Sequence, residues 1–131
     1  MSDRTLKGYI RVRGRDDEPW PLPDQPVDRT KPVYERVTSR KPVYLSMTVR
    51  WGGECRVEIR ATADLDPNGN IHIHGTAVLF EGVTEDTNKE RDRTAVCFDV
   101  PPGGEPTVKD YDLISDKGDY AIVTFRLSNS E

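Results

Sequence analysis

Along most of the chain, apolar and polar residues alternate with a period of two. KPVYLSMTVRW shows the pattern best: Val43, Leu45, Met47, Val49 and Trp51 fall on one side, Tyr44, Ser46, Thr48 and Arg50 on the other. Successive side chains of a strand point to opposite faces, so this run predicts a strand with one buried and one wet face. The same reading predicts strands near residues 8–13, 33–38, 54–63, 70–80, 93–100, 107–113 and 120–128. In the last of these, Ala121, Val123, Phe125 and Leu127 face inward, which ties the end of the chain into the core. Helical spacing is scarce because 10 prolines and 10 glycines break most windows long enough for three turns. About eight short strands predict an all-β fold, an antiparallel β-sandwich with Greek-key connections; a small β-barrel is the alternative.

The connections agree with that pattern. DPNG at 66–69 joins two alternating runs and predicts a hairpin, with Pro presetting φ and Gly taking the turn position that L residues avoid. PPGGEP at 101–106 and SDKGD at 115–119 predict further turns. Residues 15–30, RDDEPWPLPDQPVDRT, carry four prolines and little alternation, and read as a proline-rich extended connection laid over the surface. KPVY occurs at 31–34 and again at 41–44; two copies make no solenoid and read as two strands that begin alike.

The chain's 131 residues fit a single domain spanning 1–131, with enough length to bury a core. No stretch approaches the roughly 20 apolar residues of a membrane-spanning helix. Net charge is -4, divided as +3 over residues 1–65 and -7 over 66–131. A dedicated nucleic-acid binder would be basic overall, so Arg11, Arg13 and Arg15 are read as surface charge that meets the acidic half or solvent, and nucleic acid is not an expected partner. Cys55 shares its face with Val57 and Ile59, whereas Cys97 alternates out of phase with Val96 and Phe98. Opposite faces do not bridge, so two free thiols are expected. With no apolar signal-peptide core in MSDRTLKGYIRVRGRDDEPW, a cytoplasmic location is expected, and secretion stays open if a leader has been lost.

Three groups of residues carry candidate chemistry. Asp64, Asp66 and Asn68, with Gly69 at the turn, place oxygen donors at alternate positions as a calcium loop does. An EF-hand is rejected, because Gly75 stands where that loop has its bidentate Glu and strands flank it in place of helices. Asp110, Asp112, Asp116 and Asp119 form a second acidic segment. Its DYD and following Asp resemble the calcium loops of C2 domains, but the step from Asp112 to Asp119 is one residue too long and only one strand follows, so that family is not carried over. A shared calcium site needs segments 64–70 and 110–119 at one end of the sandwich; otherwise Asp and Asn at DPNG serve turn chemistry. His72 and His74 point to one face of a strand and offer two imidazoles to zinc or copper, or else are two solvent-facing side chains opposite Ile71 and Ile73.

Exposed aromatics are the third group. Trp20 lies in the proline-rich connection, and Tyr34 and Tyr44 oppose inward valines, so the rings are candidate ligand-binding residues that form a platform for a sugar or peptide. Their bland role would be plugging the sandwich or packing under a covering strand. PxxP at 23–26 is a weak docking signal. No G-x-S-x-G elbow, H-E-x-x-H helix or phosphate loop occurs, so no enzyme is expected. The expected function is a non-enzymatic binding or interaction module for a protein or glycan ligand; the alternative is a calcium-dependent, C2-like or lectin-like domain using the acidic loops. A homo-oligomer pairing an edge strand near 8–13 with its copy is a third expectation.

Overall fold

The computed structural model describes residues 3–16 and 25–131. Eight strands run β1 (Arg4–Asp16), β2 (Gln25–Val37), β3 (Val43–Trp51), β4 (Cys55–Leu65), β5 (Ile71–Glu81), β6 (Glu90–Val100), β7 (Thr107–Ile114) and β8 (Tyr120–Ser130). They form two antiparallel four-stranded sheets, β2-β1-β8-β7 and β3-β4-β5-β6, packed as a sandwich and not closed into a barrel. No helix occurs among the described residues, so none is long and apolar enough to cross a membrane.

The strands are connected as a meander. Every pair of sheet neighbours is also consecutive in sequence except β1 and β8, and the chain changes sheet between β2 and β3 and between β6 and β7. This corrects the Greek-key expectation. A Greek key needs a strand to return over the others by a long connection; here short segments at 38–42 and 101–106 step directly to the facing sheet. Side chains span the two open corners in place of a ladder. Lys31 Nζ donates to the Ser46 carbonyl (2.5 Å), the Ile114 N–H donates to Asp92 Oδ2 (2.8 Å), and the Cys97 N–H donates to the Tyr111 hydroxyl (3.0 Å).

Two expectations about the first third of the chain are also corrected. Residues 15–16 and 25–30 are not a connection: they lie in β1 and β2, leaving 17–24, with Trp20, outside the described residues. Pro26 and Pro32 hid the first part of β2, before the predicted strand at 33–38, yet a strand at the edge of a sheet accommodates prolines because one of its rows of N–H groups has no partner strand. Residues 8–13 are not an edge either, since β1 pairs with β2 on one side and β8 on the other. The oligomer through that strand therefore loses its unpaired edge.

Inward positions match the alternation. Leu6, Ile10 and Val12 of β1, Leu45, Met47 and Val49 of β3, Val57 and Ile59 of β4, Ile71, Ile73 and Leu79 of β5, and Val123, Phe125 and Leu127 of β8 are all buried. Phe125 sits among aromatic neighbours, its ring 5.3 Å from Phe98 and 6.0 Å, edge-on, from Tyr111. Cys55 is buried and Cys97 exposed, and no disulfide joins them.

The antiparallel order sorts the turns into two poles. The lower pole holds the β4–β5 turn, where Gly69 N–H donates to the Asp66 carbonyl (3.1 Å) as DPNG predicts, and the start of β1 and end of β8. Asn129 clasps it: fully buried, its Nδ2 donates to the Gly69 and Val100 carbonyls, and its Oδ1 accepts from Arg4 Nε. The upper pole holds the end of β1, the β3–β4 turn, the end of β5 and the β7–β8 turn.

Candidate functional site

The outer face of the second sheet carries most of the polar chemistry. Antiparallel register sets its residues in rows: Tyr44, Thr62, His74 and Cys97 in one, Ser46, Arg60, Thr76 and Ala95 in the next, then Thr48, Glu58, Val78 and Arg93. Two depressions lie on this face, one of about 500 Å³ lined by Tyr44, Ser46, Thr48, Arg60, Thr62 and His74, the other of about 310 Å³ reaching from Arg60 to Phe80 and Arg93. Arg60 borders both. Arg56, nearly buried, lies 4.3 Å over the Phe80 ring and donates to Glu58 and to the Glu85 carbonyl, which anchors the 82–89 connection beside the second depression.

Of the predicted aromatic platform, the two rings among the described residues do not come together. Tyr34 (73% exposed) stands on the outer face of the first sheet and Tyr44 (75% exposed) on that of the second, so the two rings belong to opposite surfaces. Each tyrosine does face away from its neighbouring inward valine, as alternation requires, but alternation along a strand carries no information about which sheet the strand joins. Tyr44 alone borders a depression of the second sheet.

The two acidic segments are likewise apart. Asp64, Asp66 and Asn68 sit at the lower pole, whereas Asp119 is buried at the upper pole, an 11-residue strand away. At about 3.3 Å per residue that separation is on the order of 30 Å, so the shared calcium site is not formed. Asp66 Oδ1 accepts the N–H groups of Asn68 (2.8 Å) and Asn70 (3.0 Å), which is the turn chemistry of an Asp opening a tight turn. Asp110 Oδ1 accepts from the Thr124 hydroxyl (2.5 Å) on the outer face of the first sheet, and Asp112 is exposed beside it on β7.

His72 and His74 both point outward, and carboxylates engage them. Asp64 Oδ2 lies 2.5 Å from His74 Nε2. His72 is bracketed, its Nδ1 bonded to Asp99 and its Nε2 2.9 Å from Asp66 Oδ2. The hydrogen bond that the His72 ring donates to Asp99 raises the His72 pKa, burial opposes it, and Asp66 adds to the rise. Asp66 moves the other way: burial raises its pKa, but the backbone N–H groups of Asn68 and Asn70 and the His72 ring outweigh burial and hold it low. An imidazolium with both nitrogens donating is thus favoured in the folded state. His72 therefore contributes stability in full below the roughly 6.5 of an unfolded histidine, and that contribution is lost as pH rises through the raised folded pKa. Denaturant melts from pH 5.5 to 9 are expected to show a fall in stability across that window, modest because the ring is part-exposed, and flattened in His72→Gln. An identical slope in the variant would refute the bracket.

The upper pole collects a group that alternation alone did not reveal. Asp16, Cys55, Glu81 and Asp119 are buried, and one oxygen or sulfur from each lies within 4.8 Å of all the others. Of these, only Asp119 is among the predicted metal-ligating residues; Cys55 reads as an inward thiol, Asp16 as part of the surface connection, and Glu81 carries no reading. A signal was present: each residue has the inward parity of its own strand, Asp16 with Val12, Cys55 with Val57, Glu81 with Leu79 and Asp119 with Ala121. An acid at the inward end of an apolar strand is a buried polar group that needs a partner.

Compared with known proteins, the chain matches no family model, no curated protein and no solved structure.

Proposed function

We propose that the chain is a non-enzymatic binding module that takes a short glycan on the outer face of β3–β5. The observation that supports this reading is Tyr44, a largely exposed ring at the edge of a depression whose lining includes the hydroxyls of Ser46, Thr48 and Thr62, the Arg60 guanidinium and the His74 imidazole beside Leu45, Ala61 and Gly75. The C–H face of a pyranose stacks on an aromatic ring, and its ring of hydroxyls pairs with short hydroxyl side chains and a forked guanidinium. All of these residues sit on three hydrogen-bonded strands, so little ordering entropy is lost when a ligand arrives.

Titration calorimetry with a panel of soluble cello-, xylo- and chito-oligosaccharides tests this. At least one is expected to bind, with Tyr44→Ala and Arg60→Ala each weakening it about tenfold or more, equivalent to about 1.4 kcal/mol. No binding across the panel, or binding that survives both substitutions, would discard the glycan reading. Tyr34→Ala, on the opposite surface, is the control expected to leave affinity unchanged.

A further inference from the structure

We propose that the outer face of the first sheet binds single-stranded nucleic acid without sequence preference, its phosphates on a cluster of cations and its bases on two tyrosines. Antiparallel register builds the cluster from three strands: Lys7, Arg11 and Arg13 of β1, Arg36 of β2 and Arg126 of β8 all take outward positions. Asp28 is the one carboxylate at the outward positions of these strands. Net charge over the whole chain argued against such a partner, but a phosphate chain meets one face and not an average. The other acids on this face, Asp110 and Asp112, stand on β7, two strand spacings or about 10 Å from β1.

The cluster is not neutralised in place. Arg11 grips Asp28 in a two-pronged pair, with Nε at 2.9 Å and a terminal nitrogen at 2.7 Å. Those hydrogen bonds hold the Asp28 carboxyl below its usual range against burial, and Arg13 and Arg29 act on the same group at longer range, so one carboxylate serves three guanidinium groups. Arg36 gives one donor to the neutral Thr5 hydroxyl (2.7 Å). Lys7 and Arg126 make no ion pair among the described residues.

Two rings among these charges select the kind of polyanion. Tyr34 is paired with Lys7, and Tyr9 with Pro32 on one side and Arg126 on the other. The tyrosines therefore hold diagonal positions on adjacent strands, about 7–8 Å apart, and Tyr34 is largely exposed while Tyr9 is half-buried. An unpaired strand offers each base as a face to stack on a ring and each phosphate as a charge to neutralise. A duplex keeps those faces inside its own stack, and a sulfated glycan or an anionic lipid surface calls on the charges alone. This face is independent of the glycan depression, which lies on the opposite surface of the sandwich.

Fluorescence anisotropy with a labelled oligothymidylate of about 12 nucleotides, read from about 20 to about 200 mM salt, tests the assignment. Binding is expected at low salt, with log affinity falling against log salt at a slope of about -2 to -3, the value for three or four neutralised phosphates. The Lys7→Gln, Arg126→Gln double variant should weaken it at least tenfold and flatten the slope by about 1.4, or about 0.7 for each cation removed. The charge-keeping Lys7→Arg, Arg126→Lys variant should retain both affinity and slope, which separates loss of charge from loss of fold. Tyr34→Ala is expected to cost about fivefold or more through lost stacking, and Tyr44→Ala, on the opposite face, nothing. No binding at low salt, full affinity in the double glutamine variant, or an unchanged affinity in Tyr34→Ala would overturn the proposal. So would equal or tighter binding of a DNA duplex, a heparin oligosaccharide or phosphatidylserine vesicles.

Discussion

Phe125→Ala is expected to destabilise the protein by about 3–5 kcal/mol, the range for emptying a fully packed aromatic site. For a chain of this length that is a fall in Tm of roughly 11–18 °C. The ring is fully buried near the middle of β8, a central strand of the first sheet. It reaches across the sandwich to Phe98 on β6 and sideways to Tyr111 on β7. Because Tyr111 also accepts the Cys97 N–H at the β6–β7 corner, removing Phe125 takes away packing from a tyrosine that joins the two sheets there. The cavity should collapse poorly, since both neighbours are anchored on different sheets. Thermal or denaturant melts giving a loss below about 1 kcal/mol would show that the aromatic group does not hold the sheets together.

Gly8→Ala is expected to cost at least about 3 kcal/mol or to prevent folding, a cost in the range reserved for overpacking and backbone strain. Gly8 lies within β1, paired with Val33 of β2 and Leu127 of β8, at φ +153°. A Cβ built there would sit 1.8 Å from the Arg126 carbonyl oxygen and 2.8 Å from its carbon, both backbone atoms of the neighbouring strand. No rotamer change can relieve such a contact; β1 and β8 would have to separate along the pair that joins the two ends of the chain. Gly53→Ala is the matched control. It too has positive φ, +74°, but nothing lies within 4 Å of its Cβ position, so only the cost of the left-handed backbone, about 1–2 kcal/mol, is expected. Equal losses in the two variants would mean that conformational preference, and not the strand contact, makes Gly8 necessary.

Much of the local structure is legible along the chain. Alternation at 43–51 and 121–127 identifies which residues are buried, DPNG identifies its hairpin, and the out-of-phase placement of Cys97 identifies two thiols that do not meet. It fails on β2. There the inward positions Arg29, Lys31 and Glu35 are exposed, so period two is broken, and prolines complete the disguise. The candidate site was legible only in part. Tyr44 and His74 were each recognisable as outward side chains, but their position around one depression with Arg60 depends on the register between β3, β4 and β5.

What the sequence by itself determined is therefore the face of each side chain, because the pleat of a strand converts odd and even positions directly into inside and outside. Which strands become neighbours, and so which outward or inward residues meet, was decided by tertiary structure alone. Tyr34 and Tyr44 end on opposite surfaces, and the acidic segments 64–70 and 110–119 end at opposite poles, while Asp16, Cys55, Glu81 and Asp119, up to 103 positions apart, converge on one point. Pairing order and register are set by the joint burial of both sheets and by the close approach that Gly8 permits between β1 and β8, and no window along a single strand contains that information.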